Sequence, residues 1–232
     1  MKIALPIILT VLYTLILLLA GSITKKIELT VSGNSFINNQ VNYQIVLLIV
    51  TAISLVTTYL LNKGNFLTFF KFGDISAVGD KMQLLGINHG DNWLKTGLSL
   101  CFVITGVTAA FMYFQLKKVG IDWSLLQNGI YWILLFSLTN SFGEEIIYRI
   151  GIISPLNGLL SPITIFGISG ILFGLAHLSG MPSGIIGISL ASILGFVLAK
   201  SVFEIQGFFW AWLIHFLQDV VIISSLYLID KS

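Results

Sequence analysis

Ser141-Phe142-Gly143-Glu144-Glu145-Ile146-Ile147-Tyr148-Arg149 sets two adjacent carboxylates and an arginine at the end of a long apolar run. On a helix, residues four apart share a face, so Glu145 and Arg149 meet and pair, while Glu144 points about 100° away. One carboxylate is then held structurally and its neighbour is left free, as a catalytic base with a support requires. A charged side chain at the centre of a membrane helix costs about 2.5–3.5 kcal/mol, so three together need partners. Two later stretches offer them. Phe173-Gly174-Leu175-Ala176-His177 places Phe173 one turn before His177, and His215-Phe216-Leu217-Gln218-Asp219 makes a second facing pair. Convergence of the three stretches predicts a buried water-activating site.

Taken singly, each feature has a structural explanation. A lone histidine can simply hydrogen-bond between helices, and each i, i+4 pair can be a clip. Against coincidence, almost every ionisable group deep in the second half belongs to these stretches. Intramembrane ionisable residues are functional candidates by default.

The elements that must position these residues follow from composition. The chain is 56% hydrophobic and 9% charged, with a mean hydropathy of +0.96, whereas soluble domains carry about 25% charged residues. This predicts an all-α polytopic membrane bundle, because lipid-exposed backbone must be paired within its own segment and no period-two alternation suggests a barrel. About seven membrane helices are expected, at Ile3–Ile23, Gln40–Leu61, Trp93–Leu116, Asn128–Arg149, Pro162–His177, Gly184–Lys200 and Gly207–Ile229. Pro155 interrupts residues 150–160, which read as a short helix or re-entrant turn. Gly170 and Gly174, then Gly187, Ala191 and Gly195, carry small-residue spacing that lets helix backbones approach closely. Residues 1–127 read as N-terminal helices with an interfacial connection and 128–230 as the motif-bearing core, together one integrated membrane domain.

The first apolar stretch could pass for a signal peptide, but its span-length run and the flanking Lys25 and Lys26 favour an uncleaved helix. In the connection from Asn62 to Asn92, lysines beside Phe66, Phe69, Phe70 and Phe72 suit the headgroup level, and His89 reads as a solvated loop residue. An inside N-terminus puts Lys2, Lys63, Lys71, Lys81, Lys95 and Lys200 on the inner face, against Lys25, Lys26, Lys117 and Lys118 outside. The lone Cys101 reads as a small buried hydrophobe. A net charge of +2, thinly dispersed, gives no nucleic-acid surface.

Glu-Glu-x-x-x-Arg, then Phe-x-x-x-His, then His-x-x-x-Asp, on successive helices, resembles the CAAX-processing and bacteriocin-processing (CPBP, Abi) family of intramembrane glutamic endopeptidases, which includes the Ras-converting enzymes. The resemblance covers roughly Asn128 to Tyr227. It implies that Glu144 and His177 hold and deprotonate a water for attack on a peptide carbonyl. It further implies that His215 and Asp219 serve the oxyanion, while Glu145, Arg149 and Phe173 order the site. Two positions depart from the pattern. Ile150 separates Arg149 from Gly151, where many relatives have Gly directly after the Arg, and Asp219 stands where the best-understood relatives carry Asn. An ionised aspartate accepts hydrogen bonds but cannot donate one, which leaves His215 as the donor and Asp219 as its orienting support.

No cofactor is expected. Glu144, His177 and His215 would be the ligands if zinc were bound, but the chain lacks His-Glu-x-x-His and Arg149 opposes a dication. The expected partners are the lipid bilayer and a peptide or protein substrate within it, in a bacterial cell membrane. An alternative class is a bacteriocin immunity or scaffold protein that binds without proteolysis. A proton-coupled transporter is disfavoured because no two-fold repeat is present.

Overall fold

The computed structural model describes residues 1–24, 29–83, 86–118, 122–178, 180 and 182–231. Lys25 and Lys26, used above as a helix flank and as topology signals, lie outside the described residues. The described chain is helical, with only isolated bridges such as Val78 with Asn92. In order the helices are α1 (Ala4–Leu18), α2 (Ala20–Thr24), α3 (Ser35–Leu61), α4 (Lys63–Phe69), α5 (Trp93–Leu116), α6 (Leu125–Glu145), α7 (Gly151–Leu156), α8 (Pro162–Ala176), α9 (Gly184–Ile205) and α10 (Phe209–Lys231).

Each of the seven expected membrane helices has its counterpart in α1, α3, α5, α6, α8, α9 and α10. Among them α3, α5, α9 and α10 are long and apolar enough to cross a bilayer, and α1 and α8 are shorter apolar helices. Local side chains fix several starts. Asn34 accepts from the backbone N–H of Phe36 at 2.9 Å, so α3 begins five residues before the expected Gln40. Asn92 caps α5 through Lys95 N at 3.0 Å, and Ser161 caps α8 just ahead of Pro162. Gln206, with φ at 49°, closes α9 in the left-handed region.

The motif helix is not a uniform α-helix. After Glu145 the chain widens into a π-turn over Ile146–Ile150 and then continues as α7, despite Pro155. Every residue from Ile146 to Leu156 is buried. This segment packs against α1, α3, α8 and α9, so the short helix near 150–160 is an internal strut. π-turns inside α-helices frequently mark functional sites.

The glycine spacing operates where it was expected. A Cβ at Gly170 would lie 2.6 Å from the Ser192 carbonyl oxygen, and one at Gly195 would lie 2.9 Å from Gly170 Cα. Helices α8 and α9 therefore pack backbone to backbone, which fixes the height of His177 at the end of α8. Gly143 leaves room on α6 for the Thr51 and Leu47 side chains of α3.

Lys200 needs a different reading from the one above. It is 1% exposed, donates to the Asp80 carbonyl at 2.9 Å and pairs with Glu204. Glu204 in turn accepts from Trp93 Nε1 at 2.7 Å and Asp80 N at 3.2 Å. This lysine fastens the 71–92 connection to α9 and is no marker of the inner face. Cys101 is buried and free, and His89 is exposed.

Candidate active site

Helix α6 presents the first pair of acids. Glu145 is fully buried, with Oε2 paired to Arg149 Nε at 3.1 Å. Its Oε1 accepts from His215 Nδ1 on α10 at 2.8 Å. Arg149 is also fully buried, and its guanidinium lies over the Phe173 ring, 4.1 Å from the centroid. A cation over an aromatic face in a dry interior is stabilised by about 2 kcal/mol or more. Together these contacts give Arg149 one opposite charge and one aromatic face.

Phe173 is the hub. Its ring centroid stands 4.4 Å from that of His177, 5.4 Å from that of His215 and 5.5 Å from that of Tyr148. Tyr148 reaches Thr14 on α1, with 3.0 Å between the hydroxyls. The first helix is thereby tied to the motif segment.

Glu144 is only 8% exposed, yet it lacks the ion pair that its neighbour enjoys. Its Oε1 accepts from Asn140 Nδ2 at 3.2 Å. Its Oε2 makes no hydrogen bond among the described residues and lies 3.7 Å from His215 Nε2. Asp219 mirrors this arrangement, with Oδ2 accepting from Asn140 Nδ2 at 3.0 Å and Oδ1 at 3.7 Å from His215 Nε2. His177 donates from Nδ1 to the Phe173 carbonyl at 2.9 Å, because a carbonyl can only accept. That bond fixes the ring and reserves Nε2 for other work.

Glu144, His177 and Asp219 line one cavity of about 470 Å³, together with Tyr43, Asn140 and Tyr148. Its apolar walls come from Leu17 and Leu18 near the end of the first helix and from Ile222, Ile223 and Leu226 on α10. The structure thus brings Glu144 and His177 to one space. It sets His215, 3% exposed, behind Glu144 and Asp219 and bonded to Glu145, outside the cavity lining. The α10 pair is correspondingly loose, since 3.7 Å between His215 and Asp219 exceeds a hydrogen bond.

No three His, Cys, Asp or Glu side chains are placed to hold an ion among the described residues. His215 Nδ1 is engaged by Glu145, Glu144 Oε1 by Asn140, and the guanidinium of Arg149 sits behind.

Residues 126–221 match the family model for the type II CAAX prenyl endopeptidases, Rce1-like. This segment is similar to the Rce1-like family. The match runs from the start of α6 into α10 and holds all three polar stretches. The family it resembles is one of endopeptidases. No curated protein and no solved structure matches the chain. Tyr43, Leu17 and Leu18, which complete the cavity, lie outside the Rce1-like segment. Asn140 falls inside it, and sequence reasoning missed it. The signal was available: Asn140 precedes Glu144 by four residues and so shares its helix face. Tyr43, on an otherwise unremarkable α3, carried no such signal.

Proposed function

We propose that the protein hydrolyses a peptide bond within the membrane, with Glu144 and His177 activating the attacking water. The reading is carried by one observation: a buried carboxylate with one oxygen free of hydrogen bonds and an imidazole with a reserved Nε2 share the wall of one cavity. Water between them would pass a proton to Glu144 as its oxygen bonds to the carbonyl carbon. The resulting tetrahedral adduct collapses by breaking the C–N bond, and the proton goes to the leaving amine. His177 holds the water through Nε2, and shielding from bulk solvent strengthens each of these interactions.

The remaining groups have supporting tasks. Glu145, Arg149 and Phe173 hold His215 and His177 in place. His215 Nε2, 3.7 Å from both Glu144 Oε2 and Asp219 Oδ1, offsets their charge when protonated. An ionised Asp219 cannot donate to an oxyanion, so that task falls to cavity donors. The Tyr43 phenol is one of them. The apolar walls suit a peptide with bulky aliphatic residues or a lipid group beside the scissile bond, as a prenylated CAAX tail would present.

The test is incubation of the protein, reconstituted in lipid vesicles, with farnesylated CAAX peptides and unmodified apolar peptides, with products read by mass spectrometry. Cleavage by the native protein and none by Glu144→Gln supports the reading. Intact peptides throughout, or equal cleavage by the variant, overturns it.

A further inference from the structure

We infer that Asn140 is a positioning residue of this site, clamping Glu144 and Asp219 with its amide, and that it forms a matched donor–acceptor pair with Asp219. A side-chain amide carries two N–H donors on one nitrogen. Asn140 Nδ2 lies 3.2 Å from Glu144 Oε1 and 3.0 Å from Asp219 Oδ2, one donor for each carboxylate. The first bond spans one turn of α6. The second crosses to α10, 79 residues away in sequence.

Charge explains why the clamp is needed. Two partly dehydrated carboxylates on facing helices repel, and the positive groups near them are already shared. Arg149 is paired with Glu145, and His215 gives Nδ1 to Glu145 and stands 3.7 Å from both acids through Nε2. His177, the imidazole on the cavity wall, is bonded through Nδ1 to its own helix, and the Tyr43 and Tyr148 phenols that share the wall carry no positive charge. Asn140 therefore supplies the only N–H bonds received by Glu144 and Asp219 side chains among the described residues. Its two bonds also fix the carboxylate rotations, leaving Glu144 Oε2 and Asp219 Oδ1 turned toward His215.

The pairing also accounts for aspartate at position 219. Asn140 donates, so its partner must accept, and a carboxylate always does. An amide there could accept only through its oxygen, in one of two orientations. The donor usually expected at the third motif is thus found one helix away, on α6.

The inference rests on the hydrolytic reading, and the experiment separates the two. Asn140→Leu, Asn140→Asp, Asp219→Asn and the exchanged double variant Asn140→Asp/Asp219→Asn are reconstituted and assayed on the farnesylated peptide, with thermal unfolding followed in parallel. Misplacing a reacting group typically costs about 100-fold in rate, so Asn140→Leu should lose about that factor in kcat with KM unchanged. Asn140→Asp adds a third carboxylate and should be inactive, and the exchange should restore at least about tenfold over it. Native turnover in Asn140→Leu, or an exchanged variant no better than Asn140→Asp, overturns the clamp. If the native protein cleaves nothing, the hydrolytic reading falls and the unfolding cycle decides the clamp. Recovery of the midpoint in the exchanged variant then supports it, and additive losses overturn it.

Discussion

His215 on α10 donates from Nδ1 to Glu145 Oε1 on α6 at 2.8 Å, and that carboxylate's second oxygen is held by Arg149. Adjacent glutamates thus have different surroundings: Glu145 is paired with Arg149 and bonded to His215, while Glu144 accepts from the Asn140 amide and has His215 Nε2 only at 3.7 Å. Their substitutions should differ in kind. Glu145→Ala leaves the guanidinium of Arg149 buried without a counter-charge, which typically costs about 3–5 kcal/mol. Thermal unfolding should show a large drop for Glu145→Ala and little change for Glu144→Gln, while both lose turnover.

Phe173 packs at once against Arg149, His177, His215 and Tyr148. Phe173→Leu keeps apolar bulk but removes the aromatic face beneath the guanidinium. A loss of about 2 kcal/mol in unfolding free energy is expected, together with reduced turnover. Unchanged stability would mean that the ring is mere filler.

Gly170 tests whether helix spacing sets the height of His177. A Cβ there meets the Ser192 carbonyl oxygen at 2.6 Å, whereas one at Gly167 meets nothing within 4 Å. Gly170→Ala should lower peptide cleavage by about 100-fold through misplacement alone. Gly167→Ala, on the same helix, should cleave as the native protein does.

Lys200 and Glu204 lie outside the site and should behave as a structural clasp. Lys200→Met strands the Glu204 carboxylate, which also holds Trp93 Nε1 and Asp80 N. Limited proteolysis should then cut within residues 74–92 faster than in the native protein. An unchanged digestion pattern would contradict the clasp.

Much of the fold was legible because lipid imposes one rule: apolar runs of spanning length must be helices. The Glu145–Arg149 pair was equally legible, being four residues apart on one helix. Contacts between helices were not. Nothing in Asn140 or Tyr43 taken alone marks a cavity wall, and Lys200 read as a topology signal until its pairing with Glu204 and the Asp80 carbonyl was in view. His215 was expected to face Asp219, its helical neighbour. The closer partner came from another helix because Glu145, wedged beside Arg149, has an oxygen left to accept. The π-turn after Glu145 was illegible too, since the sequence across Ile146–Ile150 has no glycine or proline to announce it.

Water activation by Glu144 is tested most directly by running the cleavage reaction in heavy-oxygen water and weighing the products. One heavy oxygen in the new carboxyl terminus from the native protein, and no product from Glu144→Gln, is the predicted result. Product formed by Glu144→Gln at the native rate, or a new terminus free of the label, would contradict it.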